Sequence, residues 1–342
     1  MSKIYGIVLI GCGQMGNVHL EDIYFRENIN IIGVVDKDIE KAKLFQKKYN
    51  AKAFSDDYKI FLKNDEVDIF IVSTYAKSHL EIIKDIIDNN KHALCEKPMA
   101  STKKDCIEFY KYIKNAKKSK VLVGHILRHN DTYNKVKELI KSGVIGSPII
   151  MRMVQNHHTM NWDRYRNLLK DCPPVIDCGV HYIDVMQWFT EEKITSVSGI
   201  SFSTEPSDKE IDYNYGLACF KLSKGSVGYY EAGWGKTIAA SNVKEFIGPY
   251  GRISITLQRE RTKNIEEGDL IEIYTSNGEY KTINISSNPK PTYNQLLDLI
   301  KMIENNASGK ITIEEALDAH LIAFDTNTAI KENKIISINN KF

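Results

Sequence analysis

Residues 4–10 (IYGIVLI) form an apolar run with no polar alternation. That pattern predicts a strand covered on both faces, as in a parallel sheet. A helical pattern runs from about Gln14 to Phe25, a second apolar run (IIGVVD) covers 31–36, and a charged amphipathic segment follows from Ile39 to Tyr49. The alternation continues with a strand near 51–54, a helix near 56–63, DIFIVS at 68–73, a helix at about 78–89, HALCE at 92–96, a helix at about 102–118 and VLVGH at 121–125. Strands alternating with helices in this way predict an α/β domain, a doubly wound parallel sheet, over residues 1–124.

Past Gly124 the texture changes. A helix near 131–141 is followed by strand-like stretches at about 149–157, 194–204, 213–222, 226–234, 243–248, 252–257, 270–275 and 279–285. Short turns such as Ser223-Lys224-Gly225 and Ser276-Asn277-Gly278 join successive strands and predict an antiparallel sheet. Helices at about 174–189, 292–306 and 313–332 and a short terminal strand complete a second, α+β domain over residues 125–342.

Composition narrows the class. Apolar residues make up 42% and charged residues 26% of 342, which excludes disorder and coiled coil. The 46 Lys and Arg nearly cancel 44 Asp and Glu, so no global field favours a nucleic acid partner. The 6 cysteines lack CxxC spacing and are too sparse for a disulfide scaffold, which suits a reducing, cytoplasmic setting. No run approaches membrane-spanning length. Leu9-Ile10-Gly11-Cys12 superficially resembles an export signal, but the apolar stretch is short and serves better as a strand.

The first strand runs into GCGQMG, in which Gly11, Gly13 and Gly16 flank Gln14 and Met15 and open a helix. In such a turn the first glycine allows the tight bend, the second admits a pyrophosphate to the backbone, and the third brings helix and strand together. Asp36 ends the second strand 20 residues after Gly16, where a carboxylate accepts ribose hydroxyls and repels a 2′-phosphate. NAD is therefore the expected coenzyme; Lys37 beside Asp36 keeps NADP open as an alternative. Glu96-Lys97-Pro98 follows the fifth strand, at the edge where open α/β sheets place ligands. A lysine there can donate to a reacting oxygen, although a strand-end lysine taken alone is more often an ordinary solvated residue. Asp177 and His181, four apart in a helical pattern, share one face and suit proton transfer. Their structural alternative is a capping carboxylate and a core histidine. His157, His158, Asp177 and His181 match no metal-ligand spacing, and no metal is expected.

GCGQMG, Asp36, Ser73-Thr74 with His79, Glu96-Lys97-Pro98, Gly124-His125 with Arg128, and Asp177-x-Gly179-x-His181-x-x-Asp184 occur in one order. That series resembles the glucose-fructose oxidoreductase and inositol dehydrogenase family over nearly the whole chain; Tyr75 departs from the proline usual in relatives. The resemblance implies a Rossmann domain, then a domain on a large open antiparallel sheet, with a sugar, cyclitol or other small polyol as substrate. It implies Lys97, Asp177 and His181 as the catalytic group, and Ser73, Thr74, His79, Glu96 and Lys97 as coenzyme neighbours beside the glycine turn and Asp36. Arg128 and Asn156 join Lys97, Asp177 and His181 as candidate substrate contacts; His129, Asn130, Tyr133, His157, Trp162 and Arg164 border the same stretches. Two other functions share these features: a redox-elimination glycoside hydrolase of the same fold, and a non-catalytic nucleotide-sensing regulator. A sheet with one open face is expected to be covered by another copy, as a homodimer or homotetramer.

Overall fold

In the computed structural model, which describes residues 3–261 and 267–339, two compact units are built from the alternating elements. The first comprises described residues up to 129 together with 290–317; the second comprises 130–289 and 318 onward. The outer ends of the two expected domains, 1–2 and 340–342, lie outside the described residues.

In chain order the first elements are β1 (Tyr5–Ile10), α1 (Gln14–Ile23), β2 (Ile29–Val35), α2 (Ile39–Tyr49), β3 (Ala53–Ser55), β4 (Ile69–Val72), α3 (His79–Asp88), β5 (His92–Cys95), α4 (Lys103–Asn115) and β6 (Val121–Val123). Every residue of β1 and β4 is buried, as their unbroken apolar runs require. All pairs are parallel, in the order β3-β2-β1-β4-β5-β6. Strand order reverses between β1 and β4, so the crevice at their carboxyl ends is the ligand position of such sheets. Asp38, Thr102 and Asn130 cap helix N-termini with their side chains. The helix expected near 56–63 is only a 3-10 turn, Tyr58–Phe61.

The chain continues through α5 (Asp131–Lys141), β7 (Ile150–His158), α6 (Trp162–Asp171), α7 (Pro174–Asp177), α8 (Gly179–Thr190), β8 (Ile194–Phe202), β9 (Tyr215–Leu222), β10 (Val227–Gly235), β11 (Lys244–Gly248), β12 (Gly251–Thr256), β13 (Asp269–Thr275), β14 (Tyr280–Ile285), α9 (Thr292–Asn305), α10 (Ile313–Lys331) and β15 (Ile336–Ser337). Nine strands form one sheet in the order β14-β13-β12-β11-β7-β10-β9-β8-β15. All its pairs are antiparallel except β7 with β10. One face packs against α7, α8 and α10, with Val175, Tyr213 and Ile330 in its core. The other exposes Ile150, Val227, Ile200, Phe202 and Cys219.

Residues 290–317 join the first unit through specific bonds. Asp22 of α1 accepts from the Tyr293 main-chain N–H (2.8 Å) and the Thr292 hydroxyl (3.1 Å) at the start of α9, and His129 meets Asp298 at 3.0 Å. All 6 cysteines are free thiols. Among the described residues no helix is long and apolar enough to cross a membrane.

Candidate active site

The turn between β1 and α1 is shaped as its three glycines demand. Gly11 has φ +101°, and a Cβ there would lie 2.7 Å from the Ser73 carbonyl oxygen. A Cβ on Gly16 would lie 2.1 Å from the Gly11 oxygen, so only glycine lets α1 approach the sheet this closely. Gly13 differs: its φ of −89° suits any residue, and nothing lies within 4 Å of where its Cβ would stand. Helix α1 also has no side-chain cap and no acidic residue in its first turn. A helix start without a side-chain cap, beside the open position at Gly13, is the kind of end that accepts a pyrophosphate. Gln14 is exposed and Met15 half-buried in the same turn.

Asp36 is held in place by the backbone. One carboxylate oxygen accepts from the Cys12 N–H (2.8 Å), the other from the Asp38 N–H (2.9 Å). Each keeps acceptor capacity for a ribose hydroxyl. Burial, and then the Asp36 charge, push the Cys12 thiol up to about 12, so it serves as packing. The Ser73 hydroxyl donates to the Gly11 carbonyl (2.8 Å) and ties the β4 edge to the glycine turn. Together the open Gly13, the uncapped helix and the fixed Asp36 fit a dinucleotide.

At the end of β5, Glu96 is buried and Lys97 half-buried, and the Lys97–Pro98 bond is cis. Burial alone would raise the Glu96 pKa. A hydrogen bond from His19, the His19 and Lys97 charges and the Lys97 main-chain N–H outweigh it, and the net direction is down. His79 is fully buried with Nδ1 2.8 Å from the Pro98 carbonyl and Nε2 3.0 Å from the Thr74 carbonyl. Its ring bridges the two loops that flank the crevice, while the Thr74 hydroxyl pairs with Ser78 (2.8 Å). Arg128 is buried, its guanidinium donating to Glu315 (3.2 Å) and the Lys310 carbonyl (3.3 Å).

In the second unit, Asp177 and His181 lie on either side of a break in the expected helix. The His181 N–H donates to the Cys178 carbonyl at 3.1 Å, three residues back, so the ladder tightens and α7 and α8 separate at Cys178. Both side chains are half-buried between buried neighbours. A Cβ at Gly179 would lie 3.2 Å from the Tyr230 ring, which stacks on Tyr182 with centroids 4.7 Å apart. Beneath them Lys244 is 1% exposed, 4.7 Å over the Tyr182 ring, donating to the Val154 carbonyl (2.7 Å), the Val243 carbonyl (3.1 Å) and Asn242. Tyr133, buried on α5, bonds Tyr182.

Strand alternation divides the remaining candidates. His157 faces α6, its Nδ1 3.2 Å from the Tyr165 hydroxyl and its ring 6.2 Å from Trp234. Asn156, one residue earlier, faces the opposite side of the sheet and donates to Glu231 (2.6 Å) and Ser241 (3.1 Å). The α7–α8 junction and the Asn156 side chain therefore stand on opposite faces. Sequence reasoning does not single out His19, Tyr230, Trp234 or Lys244. The signal for His19 is its place three residues after Gly16, on the helix face that glycine presses against the sheet. The Tyr230 hydroxyl and Trp234 Nε1 are buried without a hydrogen-bond partner among the described residues.

Comparison with known proteins agrees with this architecture. Residues 5–125 match the model of an oxidoreductase family with an NAD-binding Rossmann fold, and residues 133–254 match the GFO/IDH/MocA C-terminal domain. The chain is 24% identical over 262 residues to inositol 2-dehydrogenase of Rubrobacter xylanophilus, covering 74% of this chain and 72% of that protein. It is 28% identical over 205 residues to inositol 2-dehydrogenase/D-chiro-inositol 3-dehydrogenase of Halalkalibacterium halodurans, covering 59% of this chain but only 56% of that protein. The fold is that of myo-inositol 2-dehydrogenase from Lactobacillus plantarum (TM-score 0.83, 17% identity, 98% of this chain and 100% of that one). It is equally that of the aldose-aldose oxidoreductase from Caulobacter crescentus (TM-score 0.83, 19% identity, 98% and 100%). With both of its parts matched, the chain belongs to the GFO/IDH/MocA family of oxidoreductases.

Proposed function

We propose that the protein is an NAD-dependent dehydrogenase that moves a hydride between a secondary alcohol of a sugar, cyclitol or related polyol and the nicotinamide. The observation that carries this reading is one chain combining a dinucleotide turn left open at Gly13 with Asp177 and His181 half-buried at a helix junction. Relatives named as inositol dehydrogenases support the substrate class. When bound, the nicotinamide supplies the carbon that accepts hydride. The Lys97 ammonium donates a hydrogen bond to the reacting oxygen and stabilises the alkoxide that develops there. The His181 imidazole takes the hydroxyl proton, and Asp177 orients that ring and the substrate hydroxyls. Asp36 accepts the ribose hydroxyls, and its charge favours NAD over NADP. The exposed apolar sheet face supports a homodimer or homotetramer.

The test is NADH formation over inositols, aldoses, their acids and UDP-sugars, with aryl glycosides as a second set. Lys97→Met lowers kcat by about 10²–10³-fold while the NAD dissociation constant stays within about threefold. Retained kcat removes Lys97 from the chemistry. Aryl glycoside cleavage without net NADH points instead to redox elimination, and NAD binding without any turnover to a sensor.

A further inference from the structure

A buried pair joins elements that lie 77 positions apart in the sequence. His19 on α1 is 1% exposed, Glu96 at the end of β5 is 6% exposed, and Nε2 of the first stands 2.7 Å from Oε1 of the second. An ionised carboxylate only accepts, so Nε2 donates. The other ring nitrogen of His19 has no partner among the described residues, so its hydrogen bonding there is directed at Glu96. The same carboxylate receives the main-chain N–H of Lys97.

We propose that His19 is a positioning residue for Lys97: its imidazole fixes the Glu96 carboxylate, which holds the Lys97 main-chain N–H, and so ties the lysine to the helix that the glycine turn opens. This rests on the reading of Lys97 as the group that meets the reacting oxygen. The ionisable groups facing Glu96 are His19 from α1 and, from its own strand, Lys97 and the Cys95 thiol. Strand β4 closes on it with the Val72 carbonyl, which accepts the Glu96 N–H at 2.9 Å. Strand β6 closes with Gly124, whose Cβ would lie 3.2 Å from Oε2, followed by the buried His125. Burial opposes the charge on Glu96, and His19 is the largest influence that sustains it. Without the imidazole, burial dominates and the carboxyl holds its proton to higher pH.

In full-chain His19→Ala, the acid limb of the kcat–pH profile, set by the His181 base, gains a second protonation at Glu96 and steepens from about one proton toward about two. At neutral pH kcat falls about tenfold to a hundredfold, with the NAD dissociation constant from equilibrium dialysis within about threefold. His19→Gln, whose amide still donates to the carboxylate, keeps most of the rate. In coenzyme-free protein, the His19→Ala loss in thermal midpoint grows as pH rises from about 5 to about 8, because the folded state then binds that proton more tightly than the unfolded one. Adding Glu96→Gln abolishes this growth. Either an acid limb that stays at about one proton or a pH-independent thermal loss overturns the proposal and leaves His19 as packing. Should His19→Ala not fold, Glu96→Gln decides: a rate that falls as far supports the role, and an unchanged rate overturns it. The two readings fail separately. Turnover in Lys97→Met removes the lysine and leaves the thermal result standing; a flat thermal result removes His19 and leaves Lys97 untouched.

Discussion

Lys244 shows how one residue sets a balance between burial and bonding. Its ammonium lies under the helix that carries His181, and burial pushes its pKa down to about 7 despite three acceptors and the Tyr182 ring. The folded chain therefore binds this proton less tightly than the unfolded chain, so Lys244 costs stability at pH 7 and below. That cost is recovered as pH rises from about 7 toward 10.5. The Val154 and Val243 carbonyls already accept from each other's N–H groups, at 3.1 and 2.9 Å, so removing the amine leaves neither orphaned. Lys244→Met is expected to stabilise the protein by about 1–4 kcal/mol at pH 7, the advantage shrinking toward pH 10 in urea titrations. A variant less stable at pH 7, with no pH dependence, would mean that the ammonium's bonds outweigh its burial.

At the scale of elements, the turn between β1 and α1 separates folding from binding at two glycines three residues apart. Gly16→Ala places a methyl 2.1 Å from the Gly11 oxygen and forces α1 off the sheet. It is expected to cost about 1–3 kcal/mol and to weaken NAD binding as well. Gly13→Ala meets no atom within 4 Å and adopts an extended backbone open to any residue. It is expected to shift stability by less than about 1 kcal/mol yet weaken NAD at least about tenfold, because the methyl occupies the pyrophosphate approach. Thermal unfolding and equilibrium dialysis on the two variants check the contrast; equal NAD affinity in Gly13→Ala would refute the phosphate cradle. Helices α7 and α8 are legible in part. The prolines at 173 and 174 announce a helix start, while the helical pattern runs on to Phe189 past the break at Cys178, whose one local signal is Gly179.

At the scale of the molecule, the nine-stranded sheet leaves Ile150, Val227, Ile200 and Phe202 exposed on the face opposite α7 and α8. With the proposed oligomer, sedimentation velocity gives a dimer or tetramer, and Phe202→Lys weakens association by about tenfold or more; a monomeric parent protein would refute it. The alternation of buried strands with helices, the glycine turn and the strand-end Asp36 were all readable in the chain, because each depends on residues within about one turn or one strand of another. Three things were not. Arg128 bonds Glu315 across 187 positions, Asn156 faces Glu231 rather than α8, and His19 meets Glu96 across 77. Residues 290–317 likewise join the first unit through Asp22 and His129. Periodicity and glycine sterics are local and so are written in the sequence. Which face a side chain takes depends on strand register, and which distant partner it meets depends on packing, and both are decided only when the sheets close.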